Sequence, residues 1–282
     1  TMISNSKSLS TLAAALVLSV PLRITAQTAY PSNPPSEDSA GQPIRMLTRA
    51  DAARLLVATG IVLVAIPNDR WIASRFQGSS GRSNRALNAG ADVFDAAADP
   101  GVLVFSAASY FLGLATHSRP VTSLGMHTGE AIVMGGVITQ IMKGSFGRAR
   151  PSISPTDSRD FEPGKGFGND EFGSFPSGEV TIAFAAATAA SREVTRSWPG
   201  AARYVTPASY GAATLVGVAR LYGKQHWASD VVAGATVGTV SGILFDRYNR
   251  RYPGNVFNRV FLPASVVPDH GRIEVAWLLP LQ

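Results

Sequence analysis

The chain has 282 residues, of which 45% are hydrophobic, so it can bury a sizeable core as one large domain or two small ones. It contains no cysteine, which excludes disulfide bonds and thiolate metal sites. The formal net charge of +6 favours an anionic substrate or an anionic membrane surface, whereas the basic residues form no run that would predict nucleic-acid binding.

The N-terminal segment has the pattern of a secretory signal peptide. Lys7 precedes an apolar run over residues 9–22, and small residues follow at 24–29. We therefore expect a signal peptide over residues 1–26 and a secreted or periplasmic protein, with an uncleaved membrane anchor as the alternative. The Pro/Ser-rich segment 27–45 predicts a mobile linker.

Six apolar stretches rich in Ala, Gly and Val follow the linker. Their length and weak strand alternation predict an all-α fold, a helical bundle of about six core helices in a domain over residues 46–252. The stretches lie near residues 49–66, 101–116, 123–143, 178–192, 204–221 and 226–247. Turn signals separate them at Pro67-Asn68-Asp69, Ser118-Arg119-Pro120 and Ser197-Trp198-Pro199-Gly200.

The composition of these stretches does not clearly predict membrane-spanning helices. A span needs about 20 mainly apolar residues, and charges interrupt or edge the runs at Arg54, Glu130, Arg203 and Arg220. The sequence therefore favours a soluble or membrane-associated bundle over a six-span protein. The many small residues would also support close helix packing in lipid, so the membrane alternative stays open.

Two segments depart from the helical pattern. Residues 152–173 are polar and Gly-rich, which fits either a lid or a solvated loop. Residues 253–282 are expected to form a C-terminal extension, and the stretch 272–279 within it predicts a terminal strand.

Two cations bracket a Gly-containing turn at the end of the third stretch. Lys143 and Arg150 stand seven residues apart, and Pro151 ends the turn. They can converge on one anion, because the planar donors of Arg match phosphate oxygens. Ordinary solvated charge at a helix C-terminus is the alternative.

The next helix is predicted to begin at a Pro-Ser-Gly turn. Free backbone N–H groups at a helix N-terminus, together with the Ser177 hydroxyl and the Gly178 amide, can bind phosphate. Ser177 as a plain helix cap is the alternative.

A third segment carries a histidine and an acid. His226 and Asp230 stand four apart, so on a helix the carboxylate can fix the imidazole tautomer and leave the other nitrogen as nucleophile or base. A helix-surface His–Asp pair without chemistry is the alternative.

Together the three segments closely resemble the signature of the type 2 phosphatidic acid phosphatase superfamily, which includes bacterial nonspecific acid phosphatases and vanadium haloperoxidases. The pattern is Lys143-x6-Arg150-Pro151, then Pro176-Ser177-Gly178, then Arg220-x5-His226-x3-Asp230, and Arg148 in the first segment also fits. The resemblance covers residues 143–230.

The resemblance implies a phosphatase that works without a metal or other cofactor. Lys143, Arg150 and Arg220 would bind phosphate oxygens with Ser177 and Gly178, while His226 would form a phosphohistidine oriented by Asp230. The substrate would be a phosphomonoester, or a lipid phosphate or pyrophosphate if the bundle sits on a membrane. A vanadate-dependent haloperoxidase and a catalytically silent phosphate- or partner-binding protein are the alternatives.

Glu179 departs from the family pattern, which has a histidine that protonates the leaving oxygen there. The helix dipole favours the Glu179 anion by about 0.3–1 kcal/mol, whereas a phosphate charge about 4 Å away disfavours it by roughly 4 kcal/mol at an effective dielectric of about 20. Bound substrate would therefore leave Glu179 protonated as a catalytic acid. The alternatives are that glutamate at this position makes a weak or inactive enzyme, or that it is an engineered change in an otherwise ordinary enzyme.

Three further residues are considered for chemistry. His127 and Glu130 are three apart, but with no further ligand obvious we do not predict a metal site. His127 would supply the missing proton only if it faced the pocket. Trp227 is expected to pack in the interior rather than stack on substrate.

Overall fold

The fold is described from a computed structural model, which describes residues 44–76, 90, 93–94, 100–261, 265–269 and 272–276. The described part is dominated by helices, which confirms the predicted all-α class. The predicted signal peptide and all but the last two residues of the predicted linker lie outside the described residues.

Six long helices are present in the described residues, at the places where the sequence predicts them. A short helix and a two-stranded hairpin follow. The elements are α1 Arg49–Phe76, α2 Val102–Ala115, α3 Arg119–Phe146, α4 Gly178–Ser197, α5 Pro199–Tyr222, α6 Ala228–Arg251, α7 Val256–Phe261, β1 Ser265–Asp269 and β2 Arg272–Ala276.

Helix α1 runs through the segment that the sequence marks as a turn, so the predicted break at Pro67-Asn68-Asp69 is wrong. Proline removes one backbone donor and usually kinks or ends a helix. Here Asp69 is fully buried and bound to residues of other elements, and those contacts hold the last turns of α1 in place.

Helix α4 lies at the centre of the bundle and packs against α3, α5 and α6. Its Ala-rich sequence allows close approach: a Cβ on Gly238 of α6 would lie 2.2 Å from the carbonyl oxygen of Thr181, and one on Gly242 would lie 2.6 Å from the Thr188 Cβ. Small side chains at these crossings therefore replace the large apolar residues of an ordinary core, as expected for close helix packing.

Large apolar side chains instead point outward from several helices. Two described helices, α1 and α6, are long and apolar enough to cross a membrane by length and composition. Only 6% of the apolar stretch of α1 is buried, compared with 39% in α6. Such exposed apolar surface is typical of proteins that contact a membrane or a partner.

The long polar connection before α4 is folded against the end of α3 rather than loose. It contains two 3₁₀ turns, Lys165–Phe167 and Asp170–Phe172. The fit is tight, because a Cβ on Gly144 would lie 2.1 Å from the Phe167 ring and one on Gly147 would lie 1.8 Å from the carbonyl oxygen of Glu162.

The C-terminal prediction is confirmed in part. Strand β2 covers the first five residues of the expected strand, and it pairs antiparallel with β1, which the sequence did not predict. Residues 277–279 of that expected strand lie outside the described residues.

Candidate active site

The three predicted motifs meet at one end of the bundle. The C-terminal ends of α3 and α5 and the N-terminal ends of α4 and α6 lie together there. The Ser177 backbone N–H donates to the Asp230 carbonyl oxygen at 3.1 Å, which ties the start of α4 to the start of α6. Helix N-termini attract anions, and two of them lie here with the three cations Lys143, Arg150 and Arg220.

Lys143 lies in the last turn of α3, beside the start of α4. Its Nζ would lie 3.5 Å from a Cβ placed on Gly178, which is ordinary van der Waals contact, so the ammonium group lies directly beside the start of α4. Burial lowers the pKa of Lys143 from its ordinary value, while the charge of Glu179 raises it in part. A partly desolvated ammonium beside a helix N-terminus is well placed to attract a bound anion.

Arg150 reaches across to the segment that carries the histidine. Its Nη1 donates to the Gln225 side-chain oxygen at 3.1 Å, and its Nε donates to the Asp170 carbonyl oxygen at 2.9 Å. The guanidinium is thereby fixed beside the residue that precedes His226. Gln225 did not stand out in the sequence.

Ser177 is the N-terminal cap of α4 and is fully buried. Its Oγ accepts weakly from the Val180 backbone N–H at 3.4 Å and lies 3.4 Å from Glu179 Oε2. The helix-cap interpretation of Ser177 is therefore correct, and the same hydroxyl also faces the site.

His226 is fully buried, and both of its ring nitrogens have partners. Nδ1 lies 2.7 Å from the Ser174 carbonyl oxygen, and Nε2 lies 3.1 Å from Glu179 Oε2. A carbonyl can only accept, so Nδ1 carries the proton and Nε2 is the nitrogen that faces the site. Sequence reasoning missed Ser174, because a main-chain acceptor leaves no signal in residue type.

Asp230 does not orient His226 directly, which differs from the expectation. Its Oδ2 lies 3.8 Å from His226 Nδ1, which is beyond hydrogen-bond distance. The same oxygen accepts instead from the Ser174 hydroxyl at 2.6 Å and from the Trp227 backbone N–H at 2.8 Å. Asp230 therefore acts on His226 through Ser174, whose carbonyl holds Nδ1.

Glu179 lies in the first turn of α4, between His226 and Arg220. Its carboxylate contacts His226, lies 3.4 Å from Arg220 Nη1, and accepts from its own backbone amide at the start of α4. Burial alone would raise the pKa of Glu179, but the hydrogen bond and charge of His226, followed by the amide and the charge of Arg220, hold it well below its ordinary value of 4.5. Glu179 is therefore an anion beside the cations at this end of the bundle.

Arg148 fits the family pattern, but it lies in the interior and not in the anion site. It is fully buried, and its two terminal nitrogens contact Asp230 at 2.5 Å and Asp69 at 2.7 Å. Nε donates to the Ser158 carbonyl oxygen at 3.1 Å, so the long loop is pinned beneath the site. This supports neither the lid nor the solvated-loop interpretation of that part of the loop.

The remaining candidates lie outside the site. His127 Nδ1 lies 3.0 Å from Glu193 Oε2 near the other end of α4, so it does not face the pocket. Trp227 is buried as expected, and its indole N–H donates to the Ala149 carbonyl oxygen at 3.0 Å. Glu130 accepts from Asn249 at 2.6 Å.

Known proteins resemble part of this chain. Lipid A 1-phosphatase of Porphyromonas gingivalis is 34% identical over 112 residues, which is 40% of this chain and a fifth (20%) of that protein. The crystal structure of Aquifex aeolicus LpxE has 20% identity and a TM-score of 0.46, covering 62% of this chain and 93% of that one. A transmembrane PAP2 type phosphatidylglycerolphosphate phosphatase from Bacillus subtilis has 17% identity and a TM-score of 0.35, covering 69% and 94%.

The family model described as the PAP2 superfamily matches residues 124–252. That segment begins in α3, ends just after α6, and holds all three motifs together with Glu179. The resemblance seen in the sequence is thereby confirmed for this segment, which matches the PAP2 superfamily model.

Proposed function

We propose that the protein is a phosphoric ester hydrolase that works through a phosphohistidine on His226, with Glu179 as the catalytic acid. The observation that carries this proposal is the contact of 3.1 Å between His226 Nε2 and Glu179 Oε2. It brings together the nucleophile and the residue that stands where the family has its acid. Phosphoryl transfer depends mainly on positioning and charge neutralisation, which Lys143, Arg150 and Arg220 provide.

The first step redistributes one proton within the His226–Glu179 pair. While a proton is shared between Nε2 and Glu179 Oε2, in addition to the Nδ1–H that contacts the Ser174 carbonyl oxygen, the Nε2 lone pair is not free to attack phosphorus. An incoming phosphate dianion about 4 Å from Glu179 disfavours its carboxylate by roughly 4 kcal/mol at an effective dielectric of about 20. The proton then moves to Glu179, which frees the Nε2 lone pair and creates the acid at the same time.

The second step transfers the phosphoryl group. Nε2 forms a bond to phosphorus, the bond to the leaving oxygen breaks, and that oxygen takes the proton from Glu179. Water then attacks phosphorus and gives a proton to the Glu179 carboxylate, and the P–N bond breaks to release inorganic phosphate. The Ser174 carbonyl holds Nδ1–H throughout and stabilises the cationic character of the phosphorylated ring.

A lipid-linked phosphate is the substrate class that the apolar surface favours. A groove of about 430 Å³ between α1 and α6 is lined mostly by apolar side chains, with a few threonines and charged residues among them. It extends from Val231, which follows Asp230, to Arg247 near the other end of α6. Together with the outward apolar faces of α1 and α6, it suits an enzyme that works at a membrane on a substrate with an acyl or isoprenoid chain.

We place the protein on the exported side of a bacterial membrane, in the periplasm or as a membrane-associated secreted enzyme. The proposal depends on the signal-peptide pattern of residues 1–26 and on the two apolar helices. Fractionation of cells into soluble and membrane fractions, with protease added from outside, tests it. Resistance of the folded domain to protease in intact spheroplasts would contradict it.

Phosphate release from a panel of aryl phosphates, phosphatidic acid and isoprenoid pyrophosphates tests the function, with His226→Ala as the control. We expect hydrolysis that the control lacks, and faster hydrolysis of the lipid substrates in mixed micelles. Hydrolysis that is unchanged in His226→Ala would overturn the proposed mechanism. Bromide oxidation that depends on added vanadate would instead identify a haloperoxidase.

One observation favours a second candidate, a silent phosphate-binding protein. The Glu179 carboxylate already occupies the anion position and is held there by His226 and Arg220. If it never leaves, phosphate binds weakly and nothing is hydrolysed. Binding of inorganic phosphate by calorimetry, without turnover of any substrate and with tighter binding by Glu179→Gln, would identify this case.

A further inference from the structure

We infer that Asp69 is a positioning residue of the active site, although it lies on α1 and outside the segment that matches the family. The inference rests on the proposed phosphatase function, because it assigns Asp69 a role in placing His226. Helix α1 has only three buried residues in its 28, and two of them are the acids Asp51 and Asp69. A buried carboxylate on an apolar helix needs a specific set of partners.

Asp69 binds two elements of the site with both of its oxygens. Oδ1 accepts from the Ser229 backbone N–H at 2.9 Å, and Oδ2 accepts from the Ser229 hydroxyl at 2.6 Å. Oδ2 also accepts from Arg148 Nη2 at 2.7 Å. Ser229 is the second residue of α6, so Asp69 caps the start of that helix from α1.

From Asp69 a continuous series of hydrogen bonds leads to the nucleophile. Arg148 Nη1 donates to Asp230 Oδ1 at 2.5 Å, and the Ser174 hydroxyl donates to Asp230 Oδ2 at 2.6 Å. The Ser174 carbonyl oxygen in turn lies 2.7 Å from His226 Nδ1. Asp69, Arg148, Ser174, Asp230 and His226 are all fully buried, so water cannot replace a partner that is removed.

The role of Asp69 is distinct from simple attachment of α1. Asp51, near the start of the same helix, binds Arg247 near the end of α6 at 2.5 Å. The two aspartates thus fasten α1 to both ends of α6, but only Asp69 connects to the histidine. Asp51→Asn is therefore the matched control for Asp69→Asn.

Steady-state hydrolysis of an aryl phosphate by the full chain is the first test. We expect Asp69→Asn to lower kcat about 100-fold, as small displacements of catalytic groups do, with KM within about threefold of wild type. Asp51→Asn is expected to lower the melting temperature by a similar amount and to keep its kcat. An equal loss of kcat in both variants would overturn the inference.

A second readout does not depend on turnover. The chain has four histidines, so ¹⁵N-histidine labelling with His226→Ala as the assignment control isolates the His226 resonances. We expect them to shift in Asp69→Asn and to stay in place in Asp51→Asn. If Asp69→Asn does not fold, Ser229→Ala removes the hydroxyl that donates to Asp69 and accepts from Arg148, and it is expected to shift the same resonances.

The hydrolysis rates and the His226 resonances distinguish a failure of the inference about Asp69 from a failure of the proposed function. A wild type that hydrolyses nothing contradicts the proposed function, while the resonances still decide the role of Asp69. Unchanged His226 resonances in Asp69→Asn or Ser229→Ala would overturn the inference even in an active enzyme.

Discussion

Helix α4 carries the glutamates of two His–Glu pairs, one near each end of the helix. Glu179 contacts His226 at 3.1 Å, and Glu193 contacts His127 at 3.0 Å. The distances are alike, but the surroundings are not. The Glu193 side chain is 7% exposed and bound by Arg196 at 2.6 Å, whereas the Glu179 side chain is 23% exposed and lies 3.4 Å from Arg220.

The two His–Glu pairs differ in the charged residues that surround them. Near Glu193, Arg196 also binds Asp246, and Arg192 binds Asp246 at 2.6 Å, so the charges are matched within the cluster. Near Glu179 lie the cations Lys143, Arg150 and Arg220, and the charges of Glu179, Asp170 and Asp230 act on Lys143. Under the proposed function, the cations of this end take up a phosphate, and the ion pairs around Glu193 do not.

Removal of the histidine from each pair gives the largest expected contrast. His226→Ala is expected to lower kcat at least about 1,000-fold, as loss of a nucleophile does. His127→Ala is expected to keep its activity within about threefold and to lower the melting temperature, because Glu193 would lose a buried partner. Phosphate-release assays and thermal unfolding of both variants measure this contrast, and equal activities would contradict it.

The acids of the two pairs give the next contrast. Glu179→Gln is expected to lower kcat about 100- to 10,000-fold for a poor leaving group, because a general acid contributes that much. The loss is expected to be much smaller for 4-nitrophenyl phosphate, whose leaving group needs little protonation.

Two variants sharpen that test. Glu193→Gln is the matched control and is expected to retain activity with either leaving group. Glu179→His restores the residue of the family pattern and is expected to remain active. A leaving-group dependence that is the same in wild type and Glu179→Gln would show that Glu179 is not the acid.

The arginines that face the two acids give a smaller contrast. Arg220→Lys is expected to raise KM about 10- to 100-fold, because one charged hydrogen bond contributes about 1.5–3 kcal/mol and a Lys cannot bind phosphate in the forked geometry of Arg. Arg196→Lys at the balanced end is expected to leave KM unchanged. Initial rates over a range of substrate concentrations measure both, and an unchanged KM in Arg220→Lys would remove that residue from the binding site.

The smallest expected effect is on the way in which the stability of the fold depends on pH. The pKa of Glu179 lies below its ordinary value of 4.5, so its carboxylate stabilises the fold above pH 4.5, and this contribution is lost as the pH falls through its folded-state pKa. For Glu193, burial opposes the shift, but His127 and Arg196 lower the pKa to about 2, so it behaves in the same way.

Thermal unfolding between pH 7 and pH 2 checks this behaviour. Wild type is expected to lose stability relative to Glu179→Gln and to Glu193→Gln as the pH falls below 4.5. A difference that stays constant over this range would contradict the assigned pKa directions.

The helices and the motifs could be predicted from the sequence because they depend on local patterns. The apolar stretches, Ser177 as a cap and the turn before Pro199 are encoded by residues close in the chain. The placement of His226 and Glu179 in one site was implied by the resemblance of the three segments to the family signature.

The remaining features depend on contacts between distant residues. The passage of α1 through Pro67 reflects the buried partners of Asp69, and a short sequence window cannot show them. The expected bond between Asp230 and His226 was inferred from a four-residue spacing, but the Ser174 hydroxyl takes the carboxylate oxygen instead. His127 has the residue type of a catalytic group, and only the fold shows that it pairs with Glu193.

The most direct test of the central claim is to trap the covalent intermediate. Wild type, His226→Ala and His127→Ala are mixed with a ³²P-labelled phosphomonoester and quenched with alkali, in which phosphohistidine survives. The account predicts label on wild type and on His127→Ala, located on the peptide that contains His226, and none on His226→Ala. Label that persists in His226→Ala, or an active wild type that is never labelled, would contradict it.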